Sequence, residues 1–308
     1  PSNNFVWTVV EDHINPKILF IGTEFGMYFS LDGGMSWTEF KEVPTIPIRD
    51  LEIHEGEDDL VAASFGRGFY IVDDYSPLRE YSKSIENKTA HLFSVKTASQ
   101  YIVAAPEKSA TGHNFFTSPN PPFGVKLSYY LGNSIFSKFE ERQNEESIKF
   151  SNGEIIDYPS AKILEDEAKE KAPKIFLTIT DLKGNVIRRI NSGRDRGYHE
   201  KYWDLRTFSL RNIEDDENFS GSLVPPGKYH VHLEKFENDI IEKLTEKQSF
   251  TVIQVGSKSS QEDRVALYEF QLKFDKLITD VNRLVDDISK SIEDLDSQIN
   301  KSLNSLNN

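Results

Sequence analysis

Two passes of short strands, beginning roughly 43 residues apart at Phe5 and Ile48, constrain this chain more than any other feature. In the first pass, "FVWTVVED" (5–12), "ILFIGT" (18–23) and "GMYFS" (26–30) are aromatic and β-branched runs divided by an Asn-Pro turn and followed by a Gly-Gly turn. In the second, "IRDLEIH" (48–54), "LVAASF" (60–65) and "FYIVDD" (69–74) are divided by "EGEDD" and by Gly-Arg-Gly. Short strands at that period are the signature of four-stranded propeller blades. Two blades cannot close a ring that needs about four to eight. The other blades are therefore expected from residues outside this chain or from another chain. The opening on Pro1, rather than Met, fits the same expectation of a fragment.

Within the first pass, Ser30, Asp32, Gly34 and Trp37 occupy every fixed position of Ser-x-Asp-x-Gly-x-x-Trp, the Asp box. A carboxylate in a hairpin accepts hydrogen bonds from the turn's own N–H groups, glycine allows positive φ, and the indole packs beneath. Asp32 is thus read as a turn-former, not as a catalytic acid. Catalytic, cofactor and metal residues are all expected to be none. Arg67, presented between Gly66 and Gly68, is the one candidate ligand contact, suited to a carboxylate. No helical pattern follows those glycines, so they make no phosphate loop, and no strained Ser-centred turn suggests a catalytic triad.

The strings "GTEFGMYFSLDGGMSWTEF", "PIRDLEIHEGEDDLVAASFGRGFYIVDD" and "YSPLRE" resemble the last blades of bacterial sortilin-like, BNR-repeat proteins often labelled glycosyl hydrolases. "FTSPNPPFG", "YWDLR" and "LVPPGKYHVHL" resemble the tail of the same proteins. The resemblance implies an exported bacterial protein, periplasmic, secreted or on the cell surface. It also implies a propeller, a β-sandwich and a helical tail in that order. It does not imply a reaction in these residues. A glycosidase needs two opposed carboxylates. Most of the candidates Glu24, Asp50, Asp58, Asp59, Asp73 and Asp74 sit in turns or at strand ends, where a carboxylate usually caps backbone N–H groups or solvates a loop. Asp73 and Asp74 followed by "YSPLR" could instead bind calcium, although two adjacent acids alone are a weak calcium signal.

Residues 1–80 are accordingly read as blades, and 81–122, rich in Ser, Thr, Pro, Asn and Lys, as a surface-following connector. Residues 123–256 carry six or seven alternating runs that predict an immunoglobulin-like sandwich, similar also to the Ig-like domain of flagellar hook-capping proteins. Tyr229, Val231 and Leu233 alternate with His230, His232 and Glu234, which predicts one buried and one exposed polar face. His230 and His232, two apart on a strand, share one face, which is compatible with a metal only if His199 or an acid converges on them. Trp203 of "YWDLR" is expected in the core. A charged excursion, 132–172, interrupts the sandwich and is partly helical at 161–171. The fold class expected is mainly β with a helical tail.

That tail, 261–308, has no Gly or Pro, and its apolar residues from Leu267 to Leu306 recur at spacings of three or four, which one helix of more than 40 residues, or two shorter ones with a break near "SKSIEDLDSQ", would both satisfy. A stripe of about twelve such residues, each worth roughly 1.5–3 kcal/mol when buried, needs a cover. The expectation is packing on the chain's own sandwich for 265–284, and a looser or intermolecular role beyond Ile288.

Composition sets the remaining bounds. With 36 Lys and Arg against 50 Asp and Glu, the net charge is −14, and no basic block is interleaved with aromatics. A nucleic-acid partner is not expected. No run of about 18 apolar residues occurs, so the chain is not expected to span a membrane. Zero cysteines remove disulfides and thiolate chemistry. The partner expected is a protein or a glycan, bound by a non-catalytic scaffold. The alternative is an accessory part of a propeller glycoside hydrolase whose acids lie upstream.

Overall fold

A computed structural model describes residues 4–102, 120–208, 220–256 and 259–306. Parts of the expected connector, including the first four residues of "FTSPNPPFG", and the side chains of Leu303 and Leu306 lie outside the described residues. The chain is mainly β with a long C-terminal helix, and it divides into two compact units.

In the first unit, β1 (Val6–Glu11), β2 (Leu19–Thr23), β3 (Gly26–Ser30) and β4 (Thr38–Glu39) form an antiparallel meander. β5 (Ile48–His54), β6 (Asp59–Ser64) and β7 (Phe69–Val72) form a second, with the same neighbour-to-neighbour order. The alternation seen in the sequence sorts their side chains. Phe20, Met27, Ile48, Leu51, Ile53, Leu60 and Ala62 enter one shared core with Tyr75, and Phe20 meets Tyr75 edge-on at 4.9 Å.

Two single-turn helices follow, α1 (Pro77–Glu80) and α2 (Lys83–Glu86), then β8 (Ala90–Leu92). From residue 81 onward a surface-following connector with one apolar element, "AHLFSV", is expected, and there Ile85, Leu92 and Phe93 are buried. Ile85 and Phe93 pack with Tyr130, and β8 pairs with Tyr129 to Leu131. The apolar "HLF" outweighs the polar composition around it.

In the second unit, β9 (Ala98–Gln100) precedes β10 (Val125–Leu131), of which residues 125–127 belong here. The excursion contains α3 (Lys138–Ser151) and α4 (Ala161–Lys169). Ser137 and Glu140 close a reciprocal capping box at the start of α3. Arg194 donates to both Glu140 oxygens, and Arg142 donates to Glu146 and, through two nitrogens, to Glu167. These charged contacts hold the excursion, since neither helix has a buried residue.

There follow β11 (Lys174–Thr180), β12 (Val186–Ser192), β13 (Gly197–Trp203), β14 (Arg206–Phe208), β15 (Ser220–Leu223), β16 (Gly227–Glu237), β17 (Ile240–Lys243) and β18 (Gln248–Gln254). The main sheet runs β12-β11-β16-β18-β9, with β17 also on β16. β9 lies parallel to β18, an arrangement the reading of consecutive antiparallel strands did not contain. Ile175, Leu177 and Ile179 of β11 pair across to Lys235, Leu233 and Val231. Trp203 is fully buried, edge-on to Tyr229 and Phe250, with its indole N–H on the Arg206 carbonyl at 2.8 Å.

The polar face of β16 departs from expectation. His232 is 5% exposed, and Thr178 and Thr180 on the same side of β11 are buried as well. The two-residue period placed these side chains on one face but carried no information on whether that face meets water.

α5 (Gln261–Leu306) is one unbroken helix. The side it leaves half-buried carries Arg264, Tyr268, Gln271, Asp275, Ile278 and Thr279. Its apolar stripe is exposed instead, from 49% at Phe274 to 64% at Phe270 within 267–284, which corrects the expectation that this half packs on its own unit. Polar anchors, including Ser222 Oγ donating to Asp275 Oδ2 at 2.9 Å, outcompete the stripe for that contact.

Gly124 yields a stability prediction. Its φ is +127°, and a Cβ there would lie 1.9 Å from the Trp203 carbonyl oxygen. Gly124→Ala should destabilise the second unit by at least about 2 kcal/mol, since both backbone strain and overpacking oppose it. Urea unfolding followed by tryptophan emission measures this, and an unchanged midpoint would show that the loop gives way at no cost.

Candidate functional site

The strongest electrostatic cluster lies in the first unit, around Arg79 of α1. Arg79 Nε donates to Asp12 Oδ2 at 2.9 Å, and Nη2 donates to Asp12 Oδ1 and Asp58 Oδ1, both at 2.6 Å. Tyr75 Oη donates to Asp12 Oδ1 at 2.7 Å, and the Asn15 amide donates to Asp12 Oδ2 at 2.7 Å. His13 sits 3.4 Å from Asp58. Burial by itself would raise the Asp12 pKa, but hydrogen bonds from Arg79, Tyr75 and the Asn15 amide bring it down to about 2. Burial, and then the Asp12 carboxylate, raise Tyr75. Arg79 is raised by its bonds to Asp12 and Asp58. Groups held this firmly in one protonation state clamp three chain segments and are poorly suited to exchanging protons near neutrality.

The hairpin at Asp32 is organised by side chains. Ser30 Oγ donates to Asp32 Oδ1 at 2.7 Å and accepts from the Gly34 amide at 2.8 Å. Asp32 accepts from the Ser36 hydroxyl at 2.6 Å and from the Ser36 amide at 2.9 Å. These bonds, the Ser36 hydroxyl foremost, lower the Asp32 pKa to about 2. Gly34 has φ +90°, and Trp37, half-buried, lies over it.

The other carboxylates weighed for catalysis also have defined attachments. Glu24 accepts from Trp7 Nε1, Asp50 from the Leu51 amide and Asp59 from the Asp74 amide. Asp74 accepts from the Ser76 amide and hydroxyl at the entry to α1.

A different surface has the character of a binding site. The Arg49 guanidinium lies 3.5 Å over the exposed Trp7 ring and 5.2 Å from the exposed Phe65 ring, with Glu24 at 3.9 Å. Strand β5 supplies Arg49, β1 supplies Trp7, and Phe65 opens the turn that carries Arg67. That turn is held by the Ser64 amide and hydroxyl donating to the Gly68 carbonyl, and it presents Arg67 to solvent. Sequence reading found Arg67 through its flanking glycines. It missed Trp7 and Arg49 because only strand pairing brings them together.

In the second unit, His232 Nε2 lies 2.8 Å from Glu234 Oε1, and Glu234 also accepts from Thr178 and Arg189. Burial opposes ionisation of Glu234, but those bonds win and lower its pKa. His230 pairs with Ser249, while His199 reaches the Asp195 carbonyl, so the three histidines do not converge. No group of three His, Asp or Glu able to hold a metal occurs among the described residues, and no described helix is long and apolar enough to cross a membrane.

No protein-family model and no curated protein matches this chain. Among solved structures it is similar to extracellular domains from Bacteroides thetaiotaomicron (B. thetaiotaomicron), one described as from a one-component and one as from a hybrid two-component system. Identity is 13% in both, with TM-scores of 0.21 and 0.22. The match covers 83% of this chain and 26% of the other, so the chain spans about a quarter of those structures' length. Likeness at that level carries no argument about what this chain does.

Two predictions follow from the Arg79 clamp. Arg79→Met should destabilise the first unit by about 3–5 kcal/mol, because Asp12 would be left buried beside Asp58 without its cation. In calorimetry, a variant melting like the parent would show the clamp to be dispensable. The Asp12 pKa is lower in the folded chain than in the unfolded one. Its stabilising contribution, on the order of 2 kcal/mol, is therefore complete above about pH 4 and lost as pH falls toward 2. Asp12→Asn should flatten that part of the stability profile.

Proposed function

We propose that these residues are a non-catalytic binding and scaffold portion of an exported, sortilin-like propeller protein, and that they position a protein or glycan partner. The sheets β1–β4 and β5–β7 act as closing blades, the main sheet of the second unit belongs to an Ig-like module, and the Asp32 turn fastens a blade hairpin. Exposed apolar residues on β1 (Val6, Val9) and β7 (Phe69, Ile71) support the blade reading, since blade faces are covered by neighbouring blades.

The observation that carries the binding reading is the Arg49 guanidinium set between the exposed rings of Trp7 and Phe65, next to the turn presenting Arg67. Tryptophan and arginine at an exposed, pre-ordered position are the residue types that dominate binding energy. Flat rings accept a sugar face or an apolar side chain. Arg67 adds a cation that suits a carboxylate on either partner.

Binding of the chain to arrayed glycans and to candidate proteins, followed by titration calorimetry of each hit, tests this. Trp7→Ala should weaken the interaction by at least about tenfold without changing the melting temperature. Asp32→Ala should lower the melting temperature and keep the binding. Undiminished binding by Trp7→Ala would remove the site. If the longer protein hydrolyses polysaccharides and loses that activity on substitution of upstream acids, the accessory-hydrolase reading replaces the scaffold one.

A further inference from the structure

The apolar stripe of α5 is solvent-exposed from Leu267 to Ile299, on a helix whose neighbouring polar face is already tied down. Gln261 Nε2 donates to the Pro226 carbonyl at 3.1 Å, Arg264 donates to Gln254 and Gln100, and Ser222 donates to Asp275. These contacts fix the rotation of the helix about its axis and leave the stripe facing outward. At roughly 1.5 Å per residue, Leu267 to Ile299 runs about 50 Å, and a strip about 10 Å wide offers about 500 Å². Two such strips together reach about 1,000 Å², the lower bound for a stable interface. Exposed apolar surface on this scale marks an association site.

The spacing of the stripe favours one occupant. From Leu267 to Ile288 the steps alternate three and four, a heptad rhythm. Beyond that, two four-residue steps adjoin, and Val281, Ile292 and Leu303 recur every eleven residues. A heptad rhythm winds paired helices left-handed, and an eleven-residue rhythm unwinds or reverses that supercoil. Paired helices share one supercoil, so a partner must change period at the same height. A second copy lying parallel and in register does so by identity, whereas an antiparallel copy or an unrelated helix does not.

Charge points the same way. Lys273, Asp280, Asp287 and Asp294 form a row along one border of the stripe, seven residues apart and acidic from Asp280 onward. In an antiparallel pair the two rows face each other, and Asp280 of each helix repels Asp287 of the other at the centre. In a parallel pair they lie on opposite edges of the interface, each beside the partner's apolar border. Lys276, Arg283 and Lys290 stand one turn before the row and offset its charge within each helix.

We infer that α5 pairs with α5 of a second copy of this chain, parallel and in register, through the stripe from Leu267 to Ile299. The stacked rings of Phe270 and Phe274, 6.4 Å apart, supply the bulkiest part of the seam.

Sedimentation equilibrium of the full chain, diluted over a wide range, should report twice the 35.3 kDa chain mass at high concentration. Phe274→Glu combined with Val281→Glu should sediment at the single-chain mass with unchanged Trp203 emission, while Lys276→Ala should still pair. Because the sequence lacks cysteine, single Leu277→Cys and Leu295→Cys variants give a clean orientation readout. Each should cross-link to itself on mild oxidation. Cross-linking only between the two variants when mixed would reveal an antiparallel pair and overturn the inference. So would a chain that stays monomeric throughout, with its stripe covered by itself or awaiting another protein. A dimer that survives both stripe substitutions would locate the interface elsewhere and overturn it equally.

Discussion

The first unit depends on one cation held between two carboxylates. Arg79 meets Asp12 through two nitrogens and Asp58 through one of them, and both Asp12 oxygens accept a further hydrogen bond. Removing these charges from water is costly, and the arrangement is tolerable because nearly every lone pair it buries is used. Its geometric effect reaches further than its energy. Asp12 directly follows β1, Asp58 sits in the turn between β5 and β6, and Arg79 belongs to α1, so the cluster fixes both meanders and the chain that leaves them. Tyr75 joins it to the apolar interior, with its hydroxyl on Asp12 and its ring on Phe20.

Much of this framework was legible in the residues. β-branched and aromatic runs bounded by Gly, Asn and Pro located the longer strands, because a strand with one buried face must alternate and its turns need permissive φ. Trp203 was placed in the core by size alone, and α5 by its three-and-four spacing. Strand β9 was not legible, since three residues of a Ser-, Thr- and Lys-rich stretch have no periodicity to read, and only the edge of β18 recruits them. The helix α3 was missed although Ser137 and Glu140 stand at capping-box spacing, because the charge-rich run after them suggested solvation rather than structure.

The candidate surface shows a different limit. Arg67 stood out because two glycines flank it. Trp7 and Arg49 looked like ordinary strand residues, and their meeting is a product of β1 packing beside β5. His232 illustrates the reverse error, since a polar residue on an alternating strand was assigned to water. At that position the polar face is buried as well, and the imidazole is accommodated by Glu234 rather than by solvent. Periodicity identifies which side chains share a face. It does not reveal what the rest of the chain lays over that face.

The excursion that contains α3 and α4 has a bearing on how such a chain changes over generations. It buries no apolar side chain in either helix, and it is moored by Arg194 to Glu140 and braced internally by Arg142 and Glu167. Insertions and deletions in such a segment leave the interior sheet undisturbed, provided the mooring at its root survives. Lineages are then at liberty to lengthen, shorten or recharge this arm while the β framework stays constant. Among relatives, its length should be the most variable dimension of the second unit.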